Sequence, residues 1–219
     1  YFENKENAKV FLQERIIRRD QMCLLKGAGV HLQYYDYQKY PENDKVHFLY
    51  LGRIMKEKGM DELFSAAKEL QRKDVPFVLD LVGFFEDEYK EKIDQLVSDG
   101  IAVFHGFKED PRPYYAGADC VVLPSYHEGM SNVLLEAAAT GRPVITSNIP
   151  GCKEAVDDGK SGFLCEARDW NNLYLKMDKI AHMSHVEREA MGLCARDKMM
   201  QEFDKNKVVK KTIQGIVRV

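Results

Sequence analysis

Two carboxylates and two cations stand where a sequence can place chemistry. Glu128 and Glu136 lie in the run Pro124-Ser125-Tyr126-His127-Glu128-Gly129-Met130-Ser131-Asn132-Val133-Leu134-Leu135-Glu136, directly after the apolar stretch Cys120 to Leu123. A pair of carboxylates invites a glycoside-cleaving reading, in which acid and base sit about 5 to 9.5 Å apart. Eight helical residues would separate the two backbones by about 12 Å, so separate roles fit the spacing better. Ser131 is a favourable residue to begin a helix, and the amides of Asn132, Val133 and Leu134 behind it would then form an anion site at the helix's positive end. A diphosphate would fit there. Glu136 falls further into the same helix among Leu134, Leu135, Ala137, Ala138 and Ala139. A carboxylate in such apolar company needs a hydroxyl or cation as partner.

The cations belong to the loop Gly52-Arg53-Ile54-Met55-Lys56-Glu57-Lys58-Gly59, which follows the apolar run His47 to Leu51. Its terminal glycines permit a tight turn and close approach to a ligand, while Arg53 offers a planar fork and Lys58 a mobile point charge for phosphate oxygens. A lysine-rich surface loop would read the same way. A third loop, Ser147 to Glu154, is polar and carries Gly151, and says only that the chain turns there. Metal patterns are missing: none of the six histidines stands in H-E-x-x-H, and the near neighbours His182 and His185 read as a solvated helix face. No D-x-D occurs. Five cysteines, an odd number without C-x-x-C spacing, read as reduced thiols that fill strands and loops.

These loops must be held by something, and the pattern around them is regular. Short apolar runs at His47 to Leu51, Phe77 to Val82, Ile101 to His105, Cys120 to Leu123, Val144 to Thr146 and Gly162 to Leu164 read as strands. Amphipathic segments at Met60 to Arg72, Glu86 to Ser98, Pro113 to Gly117 and Asn132 to Thr140 separate them as helices, with a short turn near Glu154. That alternation predicts an α/β fold, a doubly wound parallel sheet covered on both faces. Ligands in such sheets bind beyond the carboxyl ends of the strands, which is where all three loops fall. Ahead of the sheet, a helical pattern through Ala8, Val10, Phe11 and Ile16 leads to a short strand at Met22 to Leu25, the turn Lys26 to Gly29, and a polar, tyrosine-rich linker to Asp44. Behind it come extra helices at Leu173 to Ala181, Val186 to Met200 and Lys207 to Val217.

The chain has 219 residues, 45% hydrophobic and 31% charged, with a net charge of -3. This composition describes a folded protein of one to two domains, and its mild acidity excludes the broad basic surface of a general nucleic-acid binder. The longest apolar stretches fall far short of the roughly 20 residues of a membrane-spanning helix. The opening at Tyr1, running straight into a helical pattern, reads as a piece of something longer.

Taken together, three motifs carry a specific likeness. They are G-R-x-x-x-x-K-G at Gly52 to Gly59, P-S-x-x-E-G-x-x-x-x-x-x-E at Pro124 to Glu136, and P-V-I-x-S-x-x-x-G-x-x-E-x-x-x-x-G-x-x-G at Pro143 to Gly162. In this order the chain resembles the carboxy-terminal, Rossmann-like donor domain of retaining GT-B glycosyltransferases of family 4, whose best-known mark is E-x7-E, here Glu128 and Glu136. Gly27-Ala28-Gly29-Val30-His31 is similar to the G-S-G-V-D segment that closes that family's preceding domain, with departures at Ala28 and His31. The wording Pro124 to Met130 resembles members that build bacterial capsule, O-antigen or exopolysaccharide.

The resemblance implies roles. Arg53 and Lys58 neutralise the diphosphate of a nucleotide-sugar donor, helped by Gly52 and by the amides after Ser131. Glu136 accepts hydrogen bonds from the ribose hydroxyls. Glu128, with Ser125 and the amides of Gly129 and Met130, holds the transferred hexose, and Gly106-Phe107 borders the base. Arg53, Lys58 and Glu128 are the expected catalytic set. No metal or other cofactor is expected, since the cations take the metal's place. His127 is expected to serve loop packing or a supporting contact, not as a base. The implied partners are a nucleotide-sugar, a UDP-sugar before a GDP-sugar, and a saccharide or lipid-linked saccharide acceptor. The setting implied is cytoplasmic, with peripheral contact at the inner membrane face through a preceding domain. Residues 1–44 are then the remnant of that domain and its linker, 45–200 the nucleotide-sugar-binding domain, and 201–219 a helix packing back toward the missing part.

Competing readings are separable. A dinucleotide-dependent oxidoreductase requires G-x-G-x-x-G after the first strand, and Gly27-x-Gly29 lacks the third glycine and precedes a linker. A nucleotide-sugar epimerase shares sheet and phosphate site. A non-catalytic nucleotide-sugar-binding domain would keep the donor site without turnover.

Overall fold

The expected strands pair into one six-stranded parallel sheet in the computed structural model, which describes residues 1–3, 5–25 and 27–217. The sheet order is β3-β2-β1-β4-β5-β6, with β1 at Val46–Leu51, β2 at Phe77–Val82, β3 at Ala102–Gly106, β4 at Cys120–Leu123, β5 at Val144–Ser147 and β6 at Gly162–Cys165. The helices are α1 Lys5–Gln13, α2 Met60–Arg72, α3 Lys90–Ser98, α4 Arg112–Gly117, α5 Asn132–Ala139, α6 Trp170–His182, α7 His185–Lys198 and α8 Lys205–Val217. Central strands buried on both faces must be apolar throughout, and β4 obeys this with Cys120, Val121, Val122 and Leu123 all buried. Among the described residues no helix is long and apolar enough to cross a membrane.

The order places the site. From β1 the chain winds outward through β2 to β3, then returns to the other side of β1 as β4. At this switch the strand order reverses, and the loops after β1 and β4 lie side by side at the carboxyl edge, the crevice where ligands bind in such sheets. Helix α2 covers one face with Met60, Leu63, Phe64, Ala67 and Leu70, an i, i+3, i+4 stripe that is fully buried. Helix α5 buries Leu134, Leu135 and Ala137 to Ala139, the near all-round burial that its composition foretells.

One residue ties the polar stretch before β1 to this sheet. Arg142, with 0% exposure, donates from Nε to the Tyr115 carbonyl at 2.9 Å, from Nη2 to those of Lys39 and Ala116 at 2.9 Å each, and from Nη1 to that of Gln38 at 3.1 Å. A buried guanidinium is stable only when its donors find acceptors, and here backbone carbonyls supply them. The Tyr40 hydroxyl donates to the Asp119 carbonyl, and Asn43 to the Asp119 carboxylate at 2.8 Å. The tyrosine-rich stretch is therefore seated on the domain rather than hanging free.

Several boundaries differ from the sequence reading. The expected strand Met22 to Leu25 is only an isolated bridge between Leu24 and Phe2, because among the described residues no second residue pair extends the ladder. Helix α1 stops before Ile16, since Arg15 turns left-handed at φ 56, and Ile16 ends 63% exposed. The helix expected from Glu86 begins only at Lys90. Residues ahead of it are held as a loop against β1's exit, with Ile54 N–H donating to the Phe84 carbonyl at 2.8 Å and Glu86 N–H to the Ile54 carbonyl at 3.1 Å. His185 is not on a solvated face: its Nε2 lies 3.1 Å from the Pro41 carbonyl and its ring meets Tyr40 edge-on. Lys26, in the expected turn, lies outside the described residues, as do Asn4, Arg218 and Val219.

Candidate functional site

Lys58 and Glu128, far apart in sequence, meet in the crevice at Nζ to Oε1 2.6 Å, with side chains 16% and 13% exposed. The meeting is built by backbone. Lys58 ends a short 3-10 turn, and Gly59 follows in the left-handed region at φ 72, where a Cβ would stand 2.2 Å from the Pro124 carbonyl oxygen. Only glycine lets the two loops approach so closely, and Tyr126 N–H locks them by donating to the Glu57 carbonyl at 2.8 Å. Ser125, fully buried, donates its hydroxyl to the same Glu128 oxygen at 2.8 Å. Lys58 carries three donors, and the ion pair with Glu128 uses one of them.

Arg53 lies on the rim of the same crevice. It pairs with Glu86 at Nη1 to Oε2 2.7 Å, both half-exposed, and the Tyr50 hydroxyl donates to its carbonyl. Gly52 sits just before it, and Gly83, directly after the neighbouring strand β2, packs onto Gly52 so tightly that a Cβ would fall 1.8 Å from the Gly52 carbonyl oxygen. This close fit brings Glu86 to Arg53. Gly106 closes β3 in the same row, and Phe107 after it is 64% exposed, its ring 6.1 Å from that of Phe84.

Ser131 occupies the cap position of α5 with extended backbone, φ -75 and ψ 106, but its side chain makes no capping hydrogen bond. That part of the sequence reading is corrected. The buried residue is instead fixed by its N–H donating to the Gly151 carbonyl at 3.0 Å. The amides of Asn132, Val133 and Leu134 open α5 without intrahelical acceptors. Gly129 and Met130 border this turn from the loop: Gly151 lies against the Gly129 and Glu128 carbonyls, and Met130 against Gly27.

Glu136 finds the hydroxyl partner its apolar neighbours demand. Tyr115 on α4 donates to Oε2 at 2.9 Å. Burial pushes the Glu136 carboxyl above its ordinary range, and the hydrogen bond from Tyr115 opposes that rise. Asn132, Leu135 and Glu136 line a cavity of about 200 Å³ whose facing wall is Ala28 to His31, with Tyr35 and Lys205. Glu128 and Glu136 thus serve different neighbourhoods, as their spacing requires. His127 is exposed on its loop rather than packed, because the turn directs Ser125 and Glu128 inward and leaves it outward.

Residues 45–182 match the model of the family described as Glycosyl transferases group 1. The chain belongs to this family. Among curated relatives, the capsular polysaccharide biosynthesis glycosyltransferase CapM of Staphylococcus aureus is 31% identical over 74% of this chain and 43% of its own. The N,N'-diacetylbacillosaminyl-diphospho-undecaprenol alpha-1,3-N-acetylgalactosaminyltransferase of Campylobacter jejuni is 24% identical over 100% of this chain and 60% of its own. The chain therefore spans about half the length of the curated relatives it matches. Among solved structures, Anabaena HepE in complex with UDP superposes with a TM-score of 0.84 at 18% identity, over 100% of this chain and 63% of that one. The α/β Rossmann-like fold of this group 1 domain is that of GT-B structures.

The sequence reading missed three groups at or near the site of this glycosyl transferases domain. Glu86 on Arg53 carried no signal, since an acidic residue in a polar loop has many uses. Tyr115 was foreshadowed only as an unnamed hydroxyl. The third group lies off the crevice, on β1, β2 and β3: Asp80 takes His47 Nδ1 and His105 Nε2 on its two oxygens, each at 2.7 Å. Burial alone would raise the Asp80 carboxyl, but the two imidazole hydrogen bonds outweigh it and hold it below its ordinary value, while the bond to Asp80 raises His47. Alternation along three adjacent strands places such residues on one face, a signal that needs the register to be read. Among the described residues no cluster of His, Cys, Asp or Glu is arranged to hold a metal ion.

Proposed function

We propose that the chain is the donor-binding part of a retaining glycosyltransferase of family 4. The parent transfers a hexose or N-acetylhexosamine from a nucleotide-sugar, preferentially a UDP-sugar, to a hydroxyl of a saccharide or lipid-linked saccharide in capsule, O-antigen or exopolysaccharide synthesis. The observation that carries the reading is the convergence of Lys58, Glu128 and Ser125 beside the amide-rich start of α5, at the carboxyl edge of the sheet in a group 1 family domain.

The proposed roles follow from the donor chemistry. The diphosphate lies against the first turn of α5, where orphan amides and the helix dipole favour anions. Lys58 keeps Glu128 with one donor and offers the others to phosphate, and Arg53 exchanges an exposed, weakly held Glu86 for phosphate oxygens. As the bond between the anomeric carbon and the phosphate oxygen breaks, charge grows on the nucleoside diphosphate, and these fixed cations and dipoles stabilise it. No metal is required by this scheme. Glu128, aided by the Gly129 and Met130 amides, orients the sugar, and Glu136 receives the ribose hydroxyls. Gly106-Phe107 borders the base.

A second reading is supported by the chain's 43% coverage of CapM. In a protein of that length the acceptor side of the cleft comes from the remainder, so residues 1–219 alone bind donor weakly and do not turn it over. Calorimetric titration with UDP, GDP, ADP and NAD tests the site, repeated for Lys58→Ala and Glu136→Ala. Saturable binding of one nucleoside diphosphate, weakened by both substitutions, is expected. Binding of NAD alone, or affinity indifferent to both substitutions, would refute the donor site, and robust transfer by these residues alone would refute the second reading.

A further inference from the structure

One aromatic side chain fastens the two loops that bring Lys58 and Glu128 together. Tyr126 lies two residues before Glu128, and its N–H donates to the carbonyl of Glu57, the neighbour of Lys58, at 2.8 Å. Its side chain makes two further attachments. The hydroxyl donates to Glu62 Oε2 at 2.6 Å, in the first turn of α2 and four residues after Lys58. The Arg168 guanidinium covers the ring at 4.6 Å from its centroid, within the range of a cation–π contact. Arg168 reaches it from the turn between β6 and α6, where it holds a left-handed φ of 64, a conformation unfavourable for a residue with a Cβ. Asp169, next to it, caps α6 by accepting from the Asn172 N–H at 2.9 Å, and α6 packs against α2. Tyr126 is thus tied to a frame made of α2 and the turn into α6.

We infer that Tyr126 is a positioning residue for the Lys58–Glu128 pair, its hydroxyl bond to Glu62 fixing the loop that carries Glu128 against the loop that carries Lys58. The inference rests on the donor reading above. Ser125 holds Glu128 from within the same loop, and Gly59 lets the two loops approach without supplying a side chain of its own. The bond from Tyr126 adds a side-chain link from that loop to α2, and a phenol donating to a carboxylate is a charge-assisted bond. A loop tied down before the ligand arrives has already lost the freedom that binding would otherwise remove, so the tie acts on affinity as well as on stability. Cutting it frees the Glu128 loop, and the diphosphate must then order that loop as it binds to Lys58.

Phenylalanine keeps the ring under Arg168, so Tyr126→Phe isolates the hydroxyl. The chain is titrated calorimetrically with UDP and with GDP as wild type, Tyr126→Phe, Glu62→Ala, Glu62→Gln and the double variant Tyr126→Phe/Glu62→Ala, and thermal unfolding verifies that each is folded. Tyr126→Phe and Glu62→Ala are each expected to bind the nucleoside diphosphate preferred by the wild type about 2- to 10-fold more weakly, the size of one hydrogen bond. The double variant should lose no more than either single variant, because both remove the same bond. Glu62→Gln keeps an acceptor for the phenol and should stay within about 2-fold of the wild type. A bond that is structural alone would lower the melting temperature of Tyr126→Phe and leave its affinity unchanged. That result, additive losses in the double variant, or a Glu62→Gln chain as weak as Glu62→Ala overturns the inference while the donor site stands. Failure of the wild type to bind any nucleoside diphosphate overturns the donor reading and this inference together.

Discussion

Replacing Lys58 by alanine separates two functions that the Lys58–Glu128 pair combines. The substitution leaves the Glu128 carboxylate in a position where its side chain is 13% exposed, with the Ser125 hydroxyl as its remaining donor. Removing one partner of a fully buried pair costs about 3–5 kcal/mol, and of an exposed pair about 0–1 kcal/mol. Residual exposure and the retained serine bond place this pair between those limits, at about 2–3 kcal/mol, or roughly 4–12 °C in melting temperature for a chain of this size. Glu128→Gln preserves shape and removes the charge, so the double variant Lys58→Ala/Glu128→Gln should be more stable than Lys58→Ala alone, with a coupling energy of about 1–2 kcal/mol. Binding should behave differently. Loss of a charge-assisted bond to phosphate weakens nucleoside diphosphate affinity by about 10- to 100-fold, and neutralising Glu128 cannot restore it. Urea denaturation and calorimetric titration of the four chains of the cycle decide the matter. If the double variant regains affinity along with stability, Lys58 is only a structural counter-ion, and the phosphate role assigned to it is wrong.

Arg53→Ala should leave stability within about 0.5 kcal/mol, because its pair with Glu86 is half-exposed, yet weaken nucleoside diphosphate binding; equal binding in both chains would remove Arg53 from the site. Arg142→Ala strips donors from the buried carbonyl of Tyr115 and the partly buried carbonyls of Gln38, Lys39 and Ala116 and should cost about 3 kcal/mol or more, with faster hydrogen exchange at the Gln38 amide, which donates to Thr140. Asp80→Asn tests a pH dependence. The depressed Asp80 carboxyl contributes stability above its ordinary value of 3.8 that fades as pH falls through its folded value, and the raised His47 contributes stability below its ordinary value of 6.5 that fades as pH rises through its folded value. The wild type's advantage over Asp80→Asn should therefore be greatest between pH 3.8 and 6.5, and an advantage that kept growing above neutrality would contradict the cluster's wiring.

The sheet was legible because its strands carry their own explanation. A strand buried on both faces has to be apolar, and Cys120–Leu123 could be bounded to the residue from that requirement alone. Helix α2 was equally plain, since a stripe from Met60 to Leu70 permits one period only. Legibility fell where a boundary depends on a distant backbone. Lys90 rather than Glu86 begins α3 because Ile54 takes the intervening loop, and no local propensity encodes that capture. The strand at Met22 failed for the opposite reason: suitable residues had a single bridging partner.

The candidate site divides along the same line. The residue types that would suit a diphosphate, cations and orphan amides, were readable, and so was the need of a carboxylate in apolar company for a partner. Which of them touch was not. Lys58 reaches Glu128 only because Gly59 lets two loops press together, and that glycine looked in sequence like the end of a turn. The tyrosine on Glu136 shows the limit most clearly. Burial argument alone required a hydroxyl or cation, yet Tyr115 arrives from α4, an element joined to α5 only through tertiary packing. A short segment can thus carry the residue types of a candidate site while the groups that hold that segment in place are distributed across the rest of the fold. Substitutions at those holding groups, Tyr115, Gly59 and Arg142, should consequently alter ligand binding without any of them touching the ligand.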